Sequence, residues 1–263
     1  MNYFVEGLQG SGKSTLINKL SELHPDCLPV REGEYSPVEL AWCAWLEESE
    51  YRDILEEFRS LRSQIEEKTY RENGHVIVCY TKINTEDRRF YRELEKHVIY
   101  NNRTSYDAFK QIVLDRFRKW NGDKAIFECS LFQNIVEDMM LFRAASDEEV
   151  LAFYREVREA LEGKEYRILY LKTRDIAGNL QVIRKERTDE KGNELWFPMM
   201  LGFFDNCPAS AAQGLSGEKA LMDHFARRQE LELRICREIF PDRYILLNSR
   251  EYGDGDLIRP GGI

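Results

Sequence analysis

Nowhere in the 263 residues is there a run of 18 apolar residues, so the sequence holds no candidate membrane-spanning helix. Six cysteines, at positions 27, 43, 79, 129, 207 and 236, include no C-x-x-C pair. That argues against a metal knuckle and against a disulfide framework. A reducing, cytoplasmic setting is expected. Four histidines, at 24, 75, 97 and 224, are too dispersed for zinc-site spacing. The seven prolines form no Pro/Ser linker, and no internal repeat is present. Positive charge is in deficit, with a net charge of −9, which argues against duplex nucleic acid as a main partner. An anionic nucleotide needs only local positive charge and is not excluded. The first residues read as a core strand, so no signal peptide is expected there.

What is present is enough apolar material, 43% of residues with 12% aromatic, to bury one large core. Apolar strands alternate with amphipathic helices, the α/β pattern. Strands are expected at 2–6, 27–31, 75–80, 124–128, 166–172 and 243–247. Helix signals lie between them. Ser146-Asp147-Glu148-Glu149 reads as a capping box, followed by Val150, Phe153, Val157 and Leu161 at helical spacing and closed by Gly163. Phe109, Ile112, Val113, Phe117 and Trp120 form a second stripe. A long helix is expected over 216–240, and 195–205 reads as apolar and irregular. One domain is expected over 1–252, a parallel sheet flanked by helices on both faces, with a helical or lid insertion around 176–215. A flexible tail is expected over 253–263.

The most specific signal is Gly7-Leu8-Gln9-Gly10-Ser11-Gly12-Lys13-Ser14, followed by Thr15. It has the form G-x-x-x-x-G-K-[ST] of a phosphate-binding loop (P-loop). Glycines at such spacing let backbone N–H groups turn inward onto phosphate oxygens. A lysine at position 13 can reach β- and γ-phosphates, and the Ser14 hydroxyl can hold Mg²⁺. Tyr3-Phe4-Val5 supplies the preceding strand. Leu16, Ile17, Leu20 and Leu23 supply the following helix, whose positive end faces the same anion. Gly7, Gln9, Gly10, Ser11, Gly12, Lys13, Ser14 and Thr15 are therefore the expected nucleotide-binding residues.

Ligands of such sheets bind at the carboxyl ends of the strands. After 27–31 come Glu32 and Glu34, either of which could take a proton from an attacking hydroxyl. Trp42 and Trp45 either stack on a flat ring or fill a helix core. Glu128 ends an apolar strand where a ligand for Mg²⁺ or its water is needed, and Ser130 reads as a helix cap. Arg184 and Arg187, three apart, either stabilise transferring phosphoryl oxygens or form a solvated basic face. Lys82 either helps to bind substrate or is simply exposed.

Together these pieces resemble the deoxyribonucleoside kinase and thymidylate kinase group of P-loop kinases. Phe4-Val5-Glu6-Gly7 running into Gly10-Ser11-Gly12-Lys13-Ser14-Thr15 is similar to that group's opening. Ser36-Pro37-Val38 with Trp42 resembles its Glu-Pro-Val…Trp segment, and Glu128-Cys129-Ser130 its Glu-Arg-Ser. Arg184 to Arg187 fall where its lid would lie. Ser36 stands in place of the family's Glu, which leaves Glu34 or Glu32 for the base. Cys129 replaces the Arg, and the Asp-Arg-Tyr/His motif is absent.

The resemblance implies an ATP- and Mg²⁺-dependent kinase acting on the hydroxyl of a small molecule, with nucleosides and nucleotides among the candidates. The nucleotide base would lie near Asn248, Ser249 and Arg250. The catalytic set would be Lys13, Glu34 or Glu32, Glu128, Arg184 and Arg187, with metal on Ser14 and Glu128. Trp42, Trp45 and Lys82 would meet the acceptor. The partner is then a small-molecule phosphate acceptor, and a homodimer is compatible with the apolar content. Two rivals stay open: an NTPase that switches a protein partner, and a kinase fold without activity, for which Cys129 is the best support.

Overall fold

The computed structural model describes residues 1–253, so most of the tail expected at 253–263 lies outside the described residues. These residues form two compact units. One comprises Met1–Pro29 together with the chain from Asn121 onward; the other is Val30–Trp120.

The first unit opens with β1 (Asn2–Gly7), the glycine-rich loop, α1 (Lys13–Leu23) and β2 (Leu28–Val30), whose last residue begins the second unit. The second unit runs through β3 (Ala44–Leu46), α2 (Glu48–Glu57), α3 (Arg62–Glu67), β4 (Thr69–Glu72), β5 (His75–Val78), α4 (Arg88–Leu94) and α5 (Tyr106–Lys119). The first unit then resumes with β6 (Ala125–Glu128), α6 (Gln133–Glu137), a π-helical turn at Asp138–Phe142, α7 (Asp147–Ala160) and β7 (Tyr166–Lys172). It ends through α8 (Ile176–Glu186), α9 (Trp196–Asp205), α10 (Pro208–Gln213), α11 (Gly217–Glu238) and β8 (Tyr244–Asn248).

The first unit is α/β, built on a five-stranded sheet in the order β2-β6-β1-β7-β8. β1 pairs in parallel with β6 and β7, and β7 with β8. Alternation along β1 assigns its two faces. Tyr3 and Val5 join Leu16, Ile17 and Leu20 of α1 in one buried cluster. Phe4 stacks on Phe127 and meets Tyr166 edge-on, on the opposite face. That face continues through Phe132 to Tyr154 of α7 and to Phe240. The capping box expected at Ser146 and Glu149 starts α7.

The second unit corrects the sequence reading in one respect. The strand expected at 75–80 does not extend the parallel sheet. As β5 it is the centre of a separate antiparallel sheet, β3-β5-β4, whose outer strands the sequence reading lacks. Asn73 and Gly74, at φ 52° and 86°, make the two-residue turn between Glu72 and His75, as a tight hairpin requires.

A further correction concerns 195–205, expected to be irregular, where residues 196–205 form the helix α9. Pro198 sits in its first turn, where no intrahelical N–H bond is needed. Phe197 and Phe204 are buried among Leu8, Leu180 and Leu221. No described helix is long and apolar enough to cross a membrane.

Candidate functional site

The loop from Gly7 to Ser14 connects the end of β1 to the start of α1. Gly10 has φ +72°, and a Cβ there would lie 2.0 Å from Ile183 of α8. Only glycine fits both the left-handed backbone and that approach. Gly12 is the N-cap of α1, again left-handed, at φ 92°. The helix has no capping side chain and no acidic residue of its own in the first turn, so no side chain of α1 itself offsets its positive end.

Lys13 is buried, and its ammonium folds back over the loop. It donates to the carbonyls of Gly7 (2.9 Å) and Leu8 (2.8 Å) and to Gln133 Oε1 (2.9 Å). All three of its N–H groups are thereby used. Ser11 Oγ is buried with no hydrogen-bond partner among the described residues. Ser14 Oγ donates to Glu128 Oε1 at 2.5 Å, although 114 residues separate them. The strand pairing explains the meeting: Val5 of β1 lies beside Glu128 of β6, so the next turn of β1 faces the carboxyl end of β6. Thr15 follows on the exposed side of α1.

Two other segments contact the loop. Asn248 ends β8 opposite Lys172, and the residues after it reach the loop. Ser249 Oγ donates to Ser11 O at 2.8 Å, and Arg250 donates to Gly10 O at 2.8 Å. α8 also touches the loop: Asn179 Nδ2 donates to Gln9 O at 2.8 Å.

The guanidiniums of α8 make other contacts. Arg184 binds Glu194 and Glu218 and lies 4.1 Å from the centre of the Phe197 ring. Arg187, the C-cap of α8, lies over Trp196 at 5.0 Å. Arg184 is thus held by one carboxylate before α9 and one in the first turn of α11. Ser130 does not cap a helix. Its hydroxyl donates to Glu128 O, and α6 begins three residues later without a capping side chain.

The residues expected to meet an acceptor lie in the second unit. Glu34 accepts from the backbone N–H of Arg31 at 3.0 Å, and Glu32 accepts from Trp42 Nε1 at 3.0 Å. Trp42 is not helix core: it sits in a turn at φ 64° and is 46% exposed. Trp45 is not helix core either; it lies on β3, its ring centre 4.4 Å from that of His75. Lys82 is exposed at the end of a short 3₁₀ turn.

Three carboxylates, two buried and one mostly so, escaped the sequence reading as site residues. Glu6, on β1, is fully enclosed and accepts from the N–H groups of Leu131 (2.7 Å) and Gln133 (3.3 Å). Burial pushes its carboxyl up to about 8, against the pull of the Leu131 N–H. Glu39, in the second unit, accepts from the N–H of Ala41 and is likewise pushed by burial to about 8. Glu137 on α6 goes the other way: burial opposes its ionisation, but Arg228 and His224 outweigh it and hold the carboxyl at about 2. The available signal was a charge inside an apolar strand at Glu6. Glu39 and Glu137 carry no comparable signal.

No group of three or more His, Cys, Asp or Glu among the described residues forms a ready metal site. Ser14 and Glu128 offer two hard oxygen donors at one point, which suits Mg²⁺ completed by water and phosphate rather than a closed protein cage. Compared with models of protein families and with curated proteins, the chain matches none.

Proposed function

We propose that the protein is a P-loop phosphotransferase that uses a nucleoside triphosphate, ATP in the first instance, and Mg²⁺ to phosphorylate the hydroxyl of a small molecule. The observation that carries this reading is the convergence on the 7–14 loop of the Lys13 ammonium, the Ser14–Glu128 contact and the uncapped end of α1. A buried Ser11 hydroxyl in the same loop, without a hydrogen-bond partner among the described residues, supports it.

In this reading the loop N–H groups and the end of α1 hold the phosphates. Lys13 exchanges loop carbonyls for phosphate oxygens and stabilises the charge that develops there. Ser14 and Glu128 would hold Mg²⁺, which when bound neutralises phosphate charge. By the sequence resemblance, Glu32 or Glu34 would take the proton of the acceptor hydroxyl and Trp42 would offer it a flat apolar face. Arg184 and Arg187 contribute to phosphate binding only on leaving Glu194, Glu218 and Trp196.

The test is binding of Mg²⁺–ATP by calorimetry. The wild-type chain should bind, and Lys13→Ala should lose at least tenfold in affinity. Equal binding by both would remove the loop from the nucleotide site.

A further inference from the structure

Helix α11 carries His224, Arg228 and Glu232 at a spacing of four, all on a buried stripe. Arg228 is 0% exposed. Its Nη1 donates to Glu137 Oε2 at 2.8 Å, and its Nη2 donates to Gln9 Oε1 at 2.7 Å. Its Nε lies 3.2 Å from Glu232 Oε1, near enough for charge attraction but off the hydrogen-bond direction. The partners are held in turn. Glu137 meets His224 Nε2 at 3.0 Å, and Glu232 accepts from the Tyr170 hydroxyl at 2.6 Å.

An enclosed guanidinium is a costly way to fill space, because apolar side chains of similar volume pack as well or better. What apolar packing cannot do is hold a polar loop residue in one orientation. Gln9 is held from two sides: Arg228 binds its side-chain oxygen, and Asn179 of α8 binds its backbone oxygen. Gln9 stands in the middle of the glycine-rich loop, directly before Gly10.

We propose that Arg228 is a positioning residue for the 7–14 loop, fixing it through Gln9 in the form that receives the phosphates. This rests on the reading of that loop as a nucleotide site. Arg228 itself touches neither phosphate nor acceptor. Glu137 and Glu232 keep the guanidinium charged and aimed, and α11 thereby becomes part of the loop's support.

The experiment is a double-mutant cycle on Mg²⁺–ATP affinity with Gln9→Ala, Arg228→Lys and the pair, alongside Lys13→Ala and with adenosine as a phosphate-free ligand. Each single change should weaken ATP binding about tenfold, the strength of one charge-assisted hydrogen bond. The double variant should lose no more than either single one, because both act through one contact. Adenosine binding should not change. If Arg228→Lys does not fold, Glu137→Gln replaces it in the cycle, removing the charge that aims the Arg228 guanidinium, and the same loss is expected. The proposal is overturned if the variants bind ATP as the wild type does, or if their losses multiply, while Lys13→Ala still abolishes binding. If the wild type binds no ATP, or Lys13→Ala binds equally well, the nucleotide reading fails and this proposal falls with it.

Discussion

Ser14 Oγ and Glu128 Oε1 meet at 2.5 Å, joining the first turn of α1 to the carboxyl end of β6. Neither residue is near the other in sequence, and the parallel register of β1 on β6 brings them together. A hydroxyl held against a carboxylate is a paired oxygen donor set. Glu128→Gln keeps the shape and the hydrogen bond but removes the charge. The Mg²⁺ concentration for half-maximal turnover should rise 10- to 100-fold, the range for residues that support a metal ligand. A magnesium titration at saturating ATP reads this, and an unchanged midpoint would remove Glu128 from the metal site.

Gly10 gives a prediction that is independent of function. A methyl group at this position would stand 2.0 Å from Ile183, on a backbone at φ +72°. Gly10→Ala should cost ~1–3 kcal/mol from steric overpacking, seen as a lowered melting temperature. Adding Ile183→Ala should not restore full stability, since the backbone strain persists. A Gly10→Ala chain that melts with the wild type would mean that α8 does not approach the loop so closely.

Glu39 should make stability fall as pH rises. Its folded-state carboxyl is raised to about 8 by burial, far above the ordinary value of an unfolded chain. Between those two values the folded state holds a proton that the unfolded state has released, so deprotonation favours unfolding. The contribution is therefore complete below about pH 4 and is lost on passing through 8. Glu39→Gln removes this titration. Relative to the variant, the wild type should lose on the order of 4 kcal/mol between pH 4 and pH 9. Urea unfolding of both chains across that range checks it; parallel curves would place Glu39 in a far more polar setting.

The base should be found by two conservative changes. Glu32→Gln and Glu34→Gln each keep a hydrogen-bond acceptor for Trp42 and Arg31 respectively. One of them should lower turnover by 10²- to 10⁴-fold with ATP affinity intact, the size of general-base assistance. Full turnover in both would dispose of the assignment.

The loop and its flanking strand and helix were legible because their chemistry is local: glycines, one lysine and one hydroxyl at fixed spacing. The capping box at Ser146 was legible for the same reason. The hairpin at Asn73-Gly74 was legible in principle, since that dipeptide suits the turn, but β3 and β4 are only three and four residues long and give little alternation. α9 went unread because it is apolar with no clear polar face to set a period. The support of Gln9 by Arg228 lay beyond local pattern altogether. It depends on residues 9, 137, 170, 224, 228 and 232 meeting in the fold, and nothing within a helix turn of Arg228 names Gln9 as its partner.

The most direct test of phosphoryl transfer is ADP release from Mg²⁺–ATP across a panel of nucleosides, nucleotides, sugars and aminoglycoside-like compounds, with Lys13→Ala as the blank. The account predicts slow release from the wild type alone, a marked rise with one acceptor class, and a phosphorylated product of that acceptor. ADP release that no panel compound raises, or that Lys13→Ala matches, would contradict it.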